Sequence, residues 1–198
     1  LNYLFDLEIS TINQIFIMVV ITALGAISVA TGLEKGIKRL SELNMILAIC
    51  LMALVFLAGS SVFLLQAYVQ NIGDYVSDIV RKTEWIGGWT IFYWGWWLAW
   101  APFVGLFIAR ISKGRTIKEF IFGVMLVPTA FTLLWMTIFG NSAISLIFES
   151  GVTQLADMVN SNTSVALFIF LENLPYSNLL SSLSVLMIVI FFVTSCDS

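Results

Sequence analysis

Residues 85–107 read WIGGWTIFYWGWWLAWAPFVGLF, a run with no charged side chain, and the fold is decided by how this stretch is read. Six of the seven tryptophans of the protein lie between Trp85 and Trp100, and the next charge is Arg110. At about 1.5 Å of rise per residue such a run crosses a hydrocarbon layer of about 30 Å as one helix. As a lipid-facing helix it is unusual. Tryptophan in membrane proteins favours the water interface, where the ring is buried and the indole N–H is wet, so a ladder of indoles continuing towards the midplane calls for another role.

Trp89, Tyr93, Trp96 and Trp100 follow one another at helical spacing, Phe103 and Phe107 continue the line, and Trp97 lies beside it. One helix face is thus a wall of electron-rich rings. Such faces attract cations, and a quaternary ammonium, which has no N–H to donate, is recognised chiefly in this way. The competing reading is that the rings pack between helices.

Working outward, the whole chain of 198 residues is 60% hydrophobic and 11% charged, with a mean hydropathy of +0.99. Soluble domains carry about 25% charged residues, so this composition predicts an integral membrane protein. The apolar runs are continuous rather than alternating, which predicts helices and excludes a β-barrel. The net charge of -3 says nothing about nucleic acid, and no basic aromatic patch suggests it as a partner. There is no histidine, and Cys50 and Cys196 both lie in apolar runs, so neither a zinc site nor a disulfide framework is predicted. With no nucleophile motif and no paired carboxylates at helical spacing, an enzyme is not expected.

Taken in order, residues 1–13 form a polar lead-in with Asp6 and Glu8, and five spans are expected, at about 14–32, 45–65, 87–109, 117–139 and 179–198. Ser41 is expected to cap the second. Residues 66–82 alternate between an apolar face (Val69, Ile72, Val76, Ile79) and a polar one (Gln70, Asn71, Asp74, Asp78), the pattern of a helix lying on the membrane surface. Pro128 falls inside the fourth span and predicts a kink unless neighbours repair it. Residues 140–178 are irregular, and the apolar stretch 163–171 is too short to cross, so the region is expected to be an external loop with one or two short interfacial helices. The chain opens on leucine and stops within a helical pattern, which predicts a piece of a longer protein.

Lys35, Lys38 and Arg39 fall in the link between the first two spans, and Arg110, Lys113, Arg115 and Lys118 in the link between the third and fourth. Both links are expected on the cytoplasmic side, which runs the tryptophan helix inward from outside. The second basic link is read as a topology determinant or, alternatively, as part of an intracellular gate.

The stretch from Trp89 to Phe120 resembles the signature of the betaine/choline/carnitine transporter family. The link Gly36–Met45, the segments Val127-Pro128 and Ile138-Phe139-Gly140, and the ending Phe191-Phe-Val-Thr-Ser-Cys-Asp-Ser are similar to that family in the same order. The resemblance implies an all-α integral membrane protein, a partial LeuT-type inverted-repeat transporter core of about five transmembrane helices plus an amphipathic surface helix, in the cell membrane and as a homotrimer when full-length. It implies secondary active transport of a quaternary ammonium compound such as glycine betaine, choline or carnitine, with sodium as the coupling ion and no other cofactor. Trp96, Trp97 and Trp100 match tryptophans that box the trimethylammonium group, with Trp94 a weaker match. Phe191, Thr194 and Ser195 match residues of a sodium site, and Phe103 an aromatic residue near a second one. Independently, adjacent hydroxyls on a span are hard ligands suited to a small cation. The alternative for Thr194 and Ser195 is hydroxyls bonding back into their own helix. Asp197, an intramembrane acid, is a further candidate, or else lies at the cytoplasmic interface. Within the family, sodium-independent antiport and proton-coupled symport are alternatives, and outside it a receptor that binds the same ligand.

Overall fold

Away from water a backbone must satisfy its own polar groups, and every element of the described chain is helical. The structure is a computed structural model that describes residue 4 and residues 7–30, 36–84 and 86–196. Asp6, Lys35, Trp85 and Asp197, and the side chains of Lys38 and Ser195, lie outside the described residues. The elements are α1 (Thr11–Ala30), α2 (Gly36–Ala58), α3 (Ser61–Ser77), α4 (Ile79–Glu84), α5 (Gly88–Ile111), α6 (Ile117–Ile121), a first π turn (Phe122–Leu126), α7 (Val127–Met136), a second π turn (Thr137–Asn141), α8 (Ser142–Phe148), α9 (Thr153–Ser161), α10 (Thr163–Glu172) and α11 (Ser177–Cys196). Four helical stretches are long and apolar enough to cross a membrane: Arg39–Ala58, Gly88–Arg110, Ile117–Phe148 and Ser177–Thr194. The other expected span falls on α1, where the apolar stretch Thr11–Ile27 is shorter. This is a multi-pass membrane protein.

The residues that start and stop these helices move several expected boundaries. Ser10 caps α1, its Oγ accepting the Asn13 N–H at 3.2 Å, so the helix opens before residue 14. Ser41 caps nothing, because α2 begins at Gly36 and carries its polar residues on its first turns. The second span does not run unbroken from 45 to 65. It stops at Ala58, and the Ser61 hydroxyl turns back to the Phe56 carbonyl at 2.8 Å to open α3. Gly59 sits at this break, where a Cβ would make ordinary contacts, 3.4 Å from the Val55 carbonyl and 3.5 Å from Ser142 Oγ. The surface-type helix accordingly begins at Ser61 and is divided at Asp78 into α3 and α4.

The chain folds as two compact units, each with its own packing. In the first, residues 1–64 and 138–198, α11 packs on α1 and α2, α10 on α11, and α9 on α8 and α10. Leu51 and Val55 on α2 are buried one turn apart, as are Ile190 and Val193 on α11, with Leu180 buried nearer the start of α11. Ser181 and Ser184 are buried on α11 as well, and Ser184 gives its hydroxyl to the Leu180 carbonyl at 2.9 Å. Small side chains at such positions let helices approach closely where hydrocarbon supplies no hydrophobic drive. Residues 140–178 hold three short helices, α8, α9 and α10. The end of α10 is packed, with Ile169, Phe170 and Leu171 buried and Phe139 meeting Phe170 ring to ring at 6.2 Å.

In the second unit, residues 65–137, α5 leaves a turn at Gly114, whose φ of 84° suits glycine, and Thr116 opens α6. Thr116 Oγ1 accepts the Glu119 N–H at 3.3 Å while Glu119 accepts the Thr116 N–H at 2.9 Å, a capping box placed at the start of the fourth expected span. Pro128 does not end the helix. The Val127 N–H reaches the Phe122 carbonyl five residues back, and this widened turn takes up the missing donor and the bulk of the proline ring.

Candidate functional site

Tryptophan, tyrosine and phenylalanine are stiff side chains, so on a straight helix their directions follow from position alone. α5 starts cleanly after Gly87, which is extended (φ -117°, ψ 171°), and continues through Pro102. Trp89 and Tyr93 have ring centroids 6.2 Å apart, and Tyr93 and Trp96 another 6.2 Å apart, nearly parallel at 22°. Phe92 joins this column, 6.0 Å from Trp89 edge to face and 5.8 Å from Trp96. Sequence reasoning passed over Phe92, although its four-residue spacing to Trp96 was the signal. Trp100 and Phe103 continue the same line one and two turns further on, about 60° or less from Trp96 at about 100° per residue. Trp97 lies to the side. Trp94 points about 160° away from Trp96, on the opposite side of the helix from the aromatic column.

One flank of α5, about 60–120° round from Trp96, carries small residues, Gly88, Gly95, Ala99 and Pro102. A shallow apolar groove opens at Gly95 between Ile91, Phe92 and Trp96. Every residue from Ile91 to Phe103 is exposed in this length of chain. Trp96 is the least exposed of the candidate tryptophans at 49%, and Phe103 stands out at 73%.

The candidate cation residues stand on α11, in the first unit, while α5 belongs to the second. Thr194 is half-buried and donates its hydroxyl to the Phe191 carbonyl at 2.9 Å. Two of the three expected oxygen sources are therefore adjacent. The Phe191 ring is exposed and meets Phe192 edge to face at 6.2 Å. The third residue, Ser195, has its side chain outside the described residues. No group of three histidine, cysteine or acidic side chains is placed to hold a metal among the described residues, so hydroxyl and carbonyl oxygens are the cation chemistry α11 offers. Arg110, Lys113, Arg115 and Lys118 are all exposed around the turn between α5 and α6.

Apolar crossing helices, one of them faced with aromatic rings, define a multi-pass membrane protein of helical type. A family model described as "BCCT, betaine/carnitine/choline family transporter" matches residues 1–198, and the chain belongs to that family. It is 49% identical over 207 residues to a glycine betaine transporter of Acinetobacter baylyi, a match covering 100% of this chain and 31% of the relative. It is 42% identical to the glycine betaine transporter OpuD of Bacillus subtilis, covering 100% of this chain and 40% of OpuD. An osmo-independent choline transporter of Acinetobacter baylyi, BetT1, is 41% identical, with 100% and 40% covered. The chain spans between 31% and 40% of the length of these relatives.

Proposed function

We propose that the full-length protein is a secondary transporter, not an enzyme, that carries a quaternary ammonium compound of the glycine betaine or choline type across the cell membrane. The observation that carries this reading is the aromatic column on α5, in which Trp89, Tyr93 and Trp96 stack at 6.2 Å intervals and Trp100 follows one turn on. A trimethylammonium group is a sphere of diffuse positive charge with no N–H, and ring faces stabilise it by about 0.5 to 2 kcal/mol each. Trp96, Trp97 and Trp100 form the cage, and Trp94, on the far side of α5, is the weaker candidate. The printed names of the relatives, glycine betaine and choline transporters, support this substrate class.

Transport follows alternating access in a LeuT-type core of inverted repeats, with the substrate held near the membrane midplane and the full-length protein a homotrimer. Sodium is the coupling ion. Thr194 Oγ1 and the Phe191 carbonyl, already side by side, supply hard oxygen ligands, with Ser195 as the third, and Phe103 lies near a second ion. One observation favours a second reading, sodium-independent exchange: the Thr194 hydroxyl is satisfied within its own helix and needs no ion to complete it.

The test is uptake of labelled glycine betaine by the full-length protein in proteoliposomes with an imposed sodium gradient, against the same gradient of potassium. The coupled reading expects accumulation with sodium alone. Equal uptake in potassium, stimulated by unlabelled substrate inside, assigns exchange, and no uptake of any trimethylammonium compound rejects the substrate class.

A further inference from the structure

The stretch Ile117–Phe148 is helical over 32 residues, about 48 Å at about 1.5 Å per residue and more than a hydrocarbon layer of about 30 Å requires. Two π turns, Phe122–Leu126 and Thr137–Asn141, bracket α7. The first has a local cause in Pro128. The second has no proline within it or after it in this helical stretch, and a π turn inside an α-helix is a rare arrangement that something must hold in register.

What holds it comes from another element. Thr137 is 1% exposed, and its Oγ1 accepts a hydrogen bond from Asn71 Nδ2 on α3 at 2.9 Å. Three residues earlier on α3, the Tyr68 hydroxyl donates to the Ala130 carbonyl at 3.4 Å. Tyr68 and Asn71 share one face of α3, and Ala130 and Thr137, seven apart, share one face of the long span. α3 therefore grips α7 at two points, one near its start and one at the π turn that follows it. Thr129 shows what an ungripped hydroxyl on this span does, bonding back to the Met125 carbonyl at 2.6 Å. A hydrogen bond between two neutral groups in an apolar setting is costly to leave half-made, so the Asn71–Thr137 contact fixes where the wide turn sits.

We propose that Asn71 is a positioning residue for transport, pinning the second π turn of the long span so that α7 moves as one piece with the surface helix α3 when the access side changes. This rests on the transport reading above. A π turn is one residue out of register with an α-helix, so releasing it lets the segment rotate or re-form as α, and the conformational step suffers while the substrate site does not.

The experiment uses the full-length transporter with four variants, Asn71→Leu, Thr137→Val, the pair together, and Thr137→Ser, which keeps the hydroxyl. Two quantities are read: uptake kinetics at matched surface expression, and hydrogen–deuterium exchange of the amides of residues 137–141. Asn71→Leu and Thr137→Val each lower maximal uptake several-fold with KM unchanged, the pair is no worse than either, and Thr137→Ser stays near wild type. Exchange at 137–141 rises about tenfold in the first three, the amount one net hydrogen bond allows, and not in Thr137→Ser. Additive losses, equal damage from Thr137→Ser and Thr137→Val, or unchanged exchange overturns the proposal. Should Asn71→Leu fail to reach the membrane, the contrast between the two Thr137 variants decides alone. Should the wild type carry no trimethylammonium compound, the exchange measurement still decides the grip, while the substrate reading falls separately.

Discussion

Trp100 sits half-exposed on α5 one turn past Trp96, outside the stacked column that Trp89, Phe92, Tyr93 and Trp96 build among themselves. Its ring has no aromatic neighbour among the described residues to satisfy its faces, which leaves it the freest of the in-line indoles to meet a ligand. In the full-length transporter Trp100→Ala should weaken glycine betaine affinity by about 1 kcal/mol or more, roughly fivefold, while Trp100→Phe keeps a smaller π face and loses less. Trp94→Phe, on the far edge of the same helix, should lose least. Binding of labelled betaine at matched surface expression reads all three, and equal affinity in wild type and Trp100→Ala would return Trp100 to helix packing.

Among the elements, the long helix Ile117–Phe148 is the one whose form is least expected from its residues. Pro128 costs an interior α-helix about 3 kcal/mol or more, and the π turn before it is where that cost is absorbed. Pro128→Ala restores an N–H and removes the ring, so the turn can close as ordinary α-helix. The full-length variant should melt at a higher temperature and transport more slowly, and a lower melting temperature with unchanged transport would show that the proline is structural. The apolar length of α2, α5 and α11 was legible in the sequence because burial in hydrocarbon writes itself as a continuous run. The break at Gly59-Ser60 was not, since apolar residues continue on both sides of it. The chain from Gly140 on reads as irregular, yet a wide helical turn takes in Gly140 and Asn141, so the helix passes the expected end at residue 139. The aromatic face of α5 was readable because ring direction there depends only on about 100° per residue. The Asn71–Thr137 bond joins positions 66 residues apart, and nothing local announces it.

For the whole molecule, the exposure of α5 is the fact that other parts of the protein must answer. This chain spans 31% to 40% of its relatives' length, and its aromatic face and its small-residue face are both open within that length. Lipid can cover either, but the two faces suit different neighbours. Gly88, Gly95, Ala99 and Pro102 leave little side-chain bulk on their flank of α5, which suits close contact with another helix. A ladder of indoles whose N–H groups need partners suits hydrocarbon poorly and a wet passage well. The expectation is therefore that the ring face is shielded from acyl chains in the full-length protein. Wild type and Trp100→Phe can be reconstituted in lipids with and without bromine on the acyl chains, bromine quenching only the indoles it touches. A shielded Trp100 contributes the same emission in both lipids, so the difference between wild type and variant is preserved on bromination, and saturating glycine betaine alters that difference. If the difference instead vanishes in brominated lipid and betaine leaves it untouched, Trp100 faces the bilayer and the cage must be sought on other helices.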